Sequence, residues 1–311
     1  MPQIVLVHGI GHEHRSPDQV EALEATWRAH LADGLRHGGY GHFAQRLCRD
    51  ERTPTDITVR LAYYGDCFRR PGQMGLDPYQ FDARQAELAE HLAFVWLTQA
   101  AERASNWQDR ETATRELTML IGASGQPQGL RAAVRSSVAG LARLGCFARA
   151  GMALAERFVL RALAQVTAYL TDEQLRTTVR KRVEDLLGSE TVALVGHSLG
   201  SVVAFEAAHQ LERPLPLLVT LGSPLGLRTV VYDRLRPQPP TFPPQVRRWV
   251  NVADRDDLVA AEPNLTGLFG ASAHAKAVFE GGWTVDNGSS PHDASFYLAR
   301  AETGRPVGQV L

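Results

Sequence analysis

Cysteine is scarce in this chain. The 311 residues include three cysteines, Cys48, Cys67 and Cys146, and no two of them form a C-x-x-C pair. An odd number of widely spaced thiols argues against a disulfide framework, which needs paired cysteines and an oxidising compartment. We therefore expect a reduced, cytoplasmic setting.

An excess of charge of either sign is also missing. Thirty-three lysines and arginines oppose 34 aspartates and glutamates, which gives a net charge of -1. Proteins that bind nucleic acid usually carry a clear basic excess. The overall charge therefore gives no support to a nucleic-acid partner.

Long apolar segments are absent as well. No stretch of eighteen or more uncharged apolar residues occurs, so the sequence predicts no transmembrane helix. The first strand candidate, residues 4–7, begins close to Met1, so we expect no signal peptide, which would need a charged region followed by an apolar one.

Signatures of metal and nucleotide binding are equally missing. His8, His12 and His14 with Glu13 match no established ligand spacing. No glycine-rich phosphate loop followed by lysine is present. We therefore expect neither a metal ion nor a cofactor.

Short apolar runs that alternate with helical patterns define the fold class. A hydrophobic content of 44% is enough to bury a large core. Alternation of this kind predicts an α/β fold, a doubly wound and mostly parallel sheet with helices on both faces. The strand candidates are residues 4–7, 57–63, 191–195, 217–221, 248–252 and 283–286, and helices are expected at 18–35 and 201–211.

A helix-rich segment at residues 77–187 interrupts this alternation. Asp77-Pro78 is typical of a helix start, and Thr171-Asp172-Glu173-Gln174 carries a capping-box pattern that opens a helix expected to end at Gly188. We interpret 77–187 as a lid or cap inserted into one α/β core formed by residues 1–76 and 188–311.

A stripe of arginines follows helical spacing inside this segment. At about 100° per residue, its members fall within an arc of about 120°. Gly145 and Gly151 could break the helix into a hairpin. The stripe is either a solvated helix face or a surface for anionic lipid headgroups or an acidic partner. Its members are Arg131, Arg135, Arg143, Arg149, Arg157 and Arg161.

The segment Gly196-His197-Ser198-Leu199-Gly200 predicts a nucleophile. It stands between an apolar run and a helical pattern, the context of a tight strand-to-helix turn that exposes a serine hydroxyl. Very small residues are needed two positions before and after that serine because the chain crowds itself there. The Leu199 amide then lies at a helix start, where it can donate to an anion.

Candidate oxyanion donors follow the first strand. His8-Gly9-Ile10-Gly11 can turn inward because of its glycines. The Ile10 amide can then join the Leu199 amide in an oxyanion hole.

An acid and a base are required next, because a serine hydroxyl is a weak nucleophile at neutral pH. Residues 253–259 follow a late strand and contain three aspartates. We favour Asp257 as the acid because an apolar pair follows it, with Asp254 as the main rival and Asp256 expected to face solvent.

The base is expected after the last strand. His292 lies on a loop that opens an apolar helix, and His274, which precedes that strand, is the alternative. His197 is expected to point away from the Ser198 hydroxyl and to make a structural hydrogen bond.

The order serine, acid, histidine resembles that of the α/β-hydrolase superfamily, in particular its serine esterase and lipase branch. The resemblance rests on His8-Gly9-Ile10-Gly11, the 196–200 segment, Thr220-Leu221-Gly222-Ser223-Pro224-Leu225, Asp257-Leu258-Val259 and His292. In that branch an aspartate before an apolar-valine pair is typically the triad acid, which supports Asp257. The amino-terminal antiparallel strands usual in the superfamily are missing.

The resemblance implies hydrolysis of a carboxylic ester or thioester through an acyl-enzyme on Ser198. The same triad would also serve an acyltransferase or a cyclising thioesterase, in which another nucleophile replaces water. A non-catalytic scaffold protein that kept the fold is the alternative outside enzymology.

Overall fold

One parallel sheet forms the centre of the computed structural model, which describes residues 1–48, 57–69, 81–123, 130–145, 152–260 and 262–311. Its main elements, in chain order, are β1 (Gln3–Val7), α1 (Pro17–His37), α2 (Gly41–Leu47), β2 (Thr58–Ala62), α3 (Ala83–Arg103), α4 (Trp107–Ala123), α5 (Leu130–Ala142), α6 (Met152–Thr171), α7 (Glu173–Glu184), β3 (Thr191–His197), α8 (Leu199–Ala208), β4 (Leu215–Leu221), β5 (Val246–Asp254), α9 (Thr266–Phe269), β6 (Val278–Val285), α10 (Ala294–Leu298) and α11 (Ala301–Gly308).

The strand order is β2-β1-β3-β4-β5-β6, and every neighbouring pair among these described strands is parallel. Leu6 of β1 pairs with Leu61 of β2 on one side and with Val195 of β3 on the other. The chain therefore adds β2 on one side of β1, and then β3 to β6 in succession on the other side. The prediction of an α/β fold with a parallel sheet is confirmed.

Helices cover both faces of the sheet. On one face, α1 packs beside α10 and α11, and Trp27 and Leu31 join a core cluster with Ile4 and Val195. On the other face α8 lies against β3 and β4, and Phe205 contacts Trp249 with ring centroids 5.5 Å apart. Strands buried on both faces are continuous apolar runs, which is why these runs stood out in the sequence.

The chain divides into two compact units. The first comprises Met1–Cys67 and Thr177–Leu311 and contains the whole sheet. The second is Phe68–Arg176 and contains the helices α3 to α6. The interpretation of the inserted helices as a lid stays a prediction.

The helical unit has its own caps and ion pairs. Asp82 caps α3 by accepting a hydrogen bond from the Gln85 amide, and the Gln85 side chain returns a bond to the Asp82 amide. Arg143 forms an ion pair with the buried Glu116. The predicted start at Asp77-Pro78 lies outside the described residues.

The helix predicted to open at residues 171–174 differs in detail. The cap is Asp172, whose Oδ1 accepts from the amides of Gln174 and Leu175, because the Thr171 hydroxyl donates instead to the Thr167 carbonyl. The helix α7 ends at Glu184, four residues before Gly188.

The arginine stripe is divided between separate elements. Arg131 and Arg135 belong to α5, Arg143 follows that helix, and Arg157 and Arg161 belong to α6. Arg149 lies outside the described residues. The described helices α5 and α6 are separate elements that contact each other, and residues 146–151, where the hairpin break is expected, lie outside the described residues. The stripe's role as a partner surface stays a prediction.

Two further findings bear on the setting of the chain. Cys48 and Cys67 are free thiols, and Cys146 lies outside the described residues. Within the described helices, none combines the length and apolar character needed to span a membrane.

Candidate active site

The predicted site residues follow strands whose carboxyl ends share one edge of the sheet. His8 follows β1, Asp257 comes shortly after β5, and His292 lies between β6 and α10. Ser198 stands directly between β3 and α8. Since all these strands are parallel, the sheet gathers residues that are far apart in the chain.

Ser198 occupies the strained turn that the sequence predicts. Its φ of 55° and ψ of -130° make it a non-glycine residue at positive φ, a conformation that costs free energy and is common at functional sites. A Cβ on Gly200 would come 2.3 Å from the His8 carbonyl oxygen, and one on Gly196 would come 2.6 Å from the Gly200 carbonyl oxygen. Glycine is therefore required on both sides of this serine.

A continuous chain of hydrogen bonds joins Ser198, His292 and Asp257. His292 Nε2 lies 2.9 Å from Ser198 Oγ, and His292 Nδ1 lies 2.8 Å from Asp257 Oδ2. A carboxylate can only accept, so Nδ1 carries the imidazole proton and Nε2 is left to accept the serine hydroxyl proton. This is the tautomer that a general base beside a serine needs.

The carboxylate of Asp257 is fully buried and fully bonded. Its side chain has an exposed fraction of 0%. Oδ1 accepts from the amides of Val259 and Ala260, at 3.0 and 3.4 Å, and Oδ2 accepts from His292 and from the Tyr297 hydroxyl. Four donors compensate for the water that the carboxylate loses on burial. The apolar segment after Asp257 therefore supplies two amide donors, one from Val259 of the apolar pair and one from Ala260.

Asp254, the rival acid, has a different set of partners. Its carboxylate accepts from the amides of Asp256, at 2.8 Å, and Asn287. Burial raises its pKa. Asn287 in turn donates through Nδ2 to the Pro291 carbonyl, 3.3 Å away. Asp254 thus supports the loop that carries His292 and is not bonded to its imidazole. Asp256 is half-buried.

The two other histidines considered for the base have structural contacts. His274 Nε2 bonds to the Val246 carbonyl at the start of β5, the opposite end from Asp257. His197 Nε2 donates to the His292 carbonyl over 3.0 Å. Burial, followed by the nearby His292, lowers the pKa of His197 well below its usual range. His197 therefore stays neutral and supports the His292 backbone.

The loop after β1 passes directly beside the serine. A Cβ on Gly9 would come 2.8 Å from Ser198 Cβ, so residues 8–11 line the same turn. The Leu199 amide is the first of α8 and has no carbonyl partner within the helix. Among the described residues, no backbone carbonyl accepts a hydrogen bond from the Ile10 amide. Both predicted donors thus belong to segments that adjoin Ser198.

His8 holds this loop in place. Its Nδ1 donates to the Gly9 carbonyl over 2.7 Å, and its Nε2 accepts from the Tyr64 amide over 3.2 Å. The Tyr64 hydroxyl donates to the His8 carbonyl, and the two rings stack at 4.1 Å. Burial, with a smaller effect from His12, lowers the pKa of His8 to about 3. Both ring nitrogens of the neutral His8 are therefore bonded to backbone groups, and His8 is part of the scaffold of this loop.

Several residues of the site were not found from the sequence. Tyr297, Asn287 and Tyr64 support Asp257, the loop that carries His292 and the loop after β1, respectively. Tyr297 stands in the apolar helix noted after His292, and no spacing rule connects it to an aspartate 40 residues earlier. Gly222 lies in the segment 220–225, which contributes to the family resemblance, but that resemblance implies no role for this glycine.

Comparisons with models of protein families, with curated proteins and with solved structures find no match to this chain. The geometry of these residues is therefore the basis on which a function can be proposed.

Proposed function

We propose that this chain is a serine hydrolase that cleaves a carboxylic ester or thioester through an acyl-enzyme on Ser198. The single observation that carries the proposal is the chain of hydrogen bonds from Ser198 Oγ through His292 to Asp257 Oδ2, with links of 2.9 and 2.8 Å. A strained serine between a strand and a helix supports the same conclusion, because it presents the hydroxyl at the edge of the sheet.

In the first half of the reaction, Ser198 Oγ bonds to the substrate carbonyl carbon while its proton passes to His292 Nε2. The carbonyl electron pair moves to oxygen and forms an oxyanion. Asp257 stabilises the imidazolium that results. The oxyanion then collapses, the bond to the leaving group breaks, and His292 returns the proton to that group.

In the second half, water takes the place of the serine hydroxyl. His292 removes a proton from water, hydroxide adds to the acyl carbon, and the acid product leaves as Ser198 recovers its proton. The amides of Ile10 and Leu199 are proposed as donors to both oxyanions. One such donor typically stabilises the transition state by about 3 to 4 kcal/mol.

The position of the site in the sheet supports the wider proposal of an α/β-hydrolase architecture. Strand order reverses between β1 and β3, and ligands in open parallel sheets bind outside the carboxyl ends of the strands at such a point. The Ile10 loop follows one of these strands and Ser198 follows the other. The apolar composition of the inserted helices favours an aliphatic acyl group.

Turnover of a short p-nitrophenyl ester tests the proposal. The wild-type chain should release p-nitrophenol with saturation, and Ser198→Ala should reduce kcat by at least about a thousandfold because no nucleophile remains. Equal and negligible rates for both proteins across ester and thioester substrates would contradict the proposal and favour a scaffold protein.

A further inference from the structure

Tyr297 shares an acceptor atom with His292. The Tyr297 hydroxyl lies 2.8 Å from Asp257 Oδ2, the same oxygen that His292 Nδ1 reaches at 2.8 Å. The Asp254 amide donates to the Tyr297 hydroxyl oxygen over 2.7 Å. Because that amide is itself a donor, the single hydroxyl proton of Tyr297 is directed to Asp257.

The surroundings keep Tyr297 in this role. Its side chain is fully buried. Burial, followed by the charge of Asp257, raises its pKa well above the usual range. The hydroxyl is therefore protonated, and so a donor, near neutral pH.

We propose that Tyr297 is a positioning residue that fixes the Asp257 carboxylate and limits how strongly Asp257 Oδ2 accepts from His292. This inference rests on the proposed function, in which His292 is the base. An oxygen that accepts two donors offers less electron density to each of them. Removing the Tyr297 hydroxyl should therefore strengthen the bond between Asp257 and the imidazolium, and His292 should hold its proton to higher pH.

Other ionisable groups also surround the imidazole. Asp257 and Asp254 belong to the end of β5 and its loop, His197 to β3, and Tyr297 to α10. His197 stays neutral through burial and donates only to the His292 carbonyl. The carboxylate of Asp254 is bonded to backbone amides. Of these groups, Tyr297 is thus the one whose hydroxyl donates to Asp257 Oδ2, the atom that accepts from His292 Nδ1.

The first test is the pH dependence of kcat/KM in Tyr297→Phe. The acid limb should move to higher pH by about one unit, and kcat at its plateau should fall by about tenfold while KM changes little. Tyr232→Phe is the matched control, because it also removes one tyrosine hydroxyl from the sheet unit, a bond of 3.4 Å to the Leu268 carbonyl. Its acid limb should coincide with that of the wild type.

The second test keeps the hydroxyl and changes only its strength. Incorporation of 3-fluorotyrosine at position 297 makes the phenol a stronger donor with little change in volume, so the acid limb should move to lower pH. The 3-fluorotyrosine variant still tests the role of the Tyr297 hydroxyl if Tyr297→Phe does not fold. Loss of stability with an unmoved limb in every variant would overturn the inference and leave Tyr297 a merely structural residue.

A measurement without substrate separates this inference from the proposed function. The titration midpoint of the His292 ring, followed by NMR with labelled histidine, should rise in Tyr297→Phe and fall with 3-fluorotyrosine. Shifts of this kind in a chain without any hydrolytic activity would support the contact and refute the hydrolase. Activity with unshifted midpoints would refute the role of Tyr297 alone.

Discussion

Gly222 lies against the carboxylate of Asp257. A Cβ on Gly222 would come 2.7 Å from Asp257 Oδ2, and the same Cβ would come 3.3 Å from His292 Nδ1. The residue also has a φ of +51°, which L side chains rarely adopt. Because residue 222, directly after β4, has no side chain, Asp257 and His292 have the space to form their hydrogen bond there.

Gly222→Ala should therefore disrupt that hydrogen bond. The added methyl group has to displace Asp257 or His292, and a displacement of about 1 Å can cost about a hundredfold in rate. The measurement is kcat/KM on an ester substrate. The control is Gly188→Ala, since a Cβ on Gly188 would meet no atom within 4 Å. Full activity in Gly222→Ala would contradict the described geometry.

Asp257→Asn and Asp254→Asn should separate the two acids. An amide at position 257 disfavours the tautomer with a proton on His292 Nδ1, and kcat should fall by about 10⁴-fold. Asp254→Asn weakens a charged hydrogen bond from the Asn287 amide. It should therefore mainly lower the free energy of unfolding in urea, by about 1.5 to 3 kcal/mol. A larger loss of kcat in Asp254→Asn than in Asp257→Asn would reverse the assignment.

The neutral, buried His8 should make stability depend on pH. Its pKa of about 3 in the folded chain lies below the value of about 6.5 expected when unfolded, so the unfolded chain binds more protons between these values. The contribution of His8 to the free energy of unfolding is fully present above pH 6.5. It is lost as the pH falls towards 3, at up to about 1.4 kcal/mol per pH unit.

Urea unfolding between pH 7 and pH 5 checks this expectation. His8→Gln should show a shallower dependence than the wild type, whatever its stability at pH 7. His209→Gln, which lies away from the candidate site, should also show a shallower dependence of stability on pH, because burial lowers the pKa of His209 to about 4. An identical slope in the wild type and both variants would show that these histidines do not govern acid unfolding.

The arginines of α6 provide a test of the predicted partner surface. If they bind anionic headgroups, the protein should sediment with phosphatidylserine vesicles and not with phosphatidylcholine vesicles. The double change Arg157→Glu and Arg161→Glu should weaken that binding, at about 1 kcal/mol for each basic residue lost. Arg228→Glu, an exposed site on the sheet unit, is the matched control. Equal sedimentation with both vesicle types would leave the stripe a solvated face.

The sheet could be predicted because its strands are buried on both faces. Runs such as residues 191–195 have no polar interruption, and they coincide with β3 within two residues. The edge strand β6 was less visible. It begins at Val278, five residues before the predicted start, because its exposed positions and the pair Gly281-Gly282 conceal the apolar pattern.

The local part of the site was also accessible from sequence. Gly196 follows from crowding against Gly200, four residues later, which a sequence pattern records directly, whereas Gly200 is required because the distant His8 carbonyl passes beside it. The contacts of Tyr297 and Gly222 with Asp257 join positions 35 to 40 residues apart and depend on how three strand ends converge. No spacing in the chain encodes that convergence.

Covalent labelling shows whether Ser198 is an activated nucleophile. The folded wild-type chain is treated with a fluorophosphonate, and the adduct is located by intact mass and peptide mapping. If Ser198 is the nucleophile that His292 activates, one phosphonate per chain is expected on Ser198, none in Ser198→Ala and far slower labelling in His292→Ala. An adduct on another residue, or none on the folded wild-type chain, would contradict that role of Ser198.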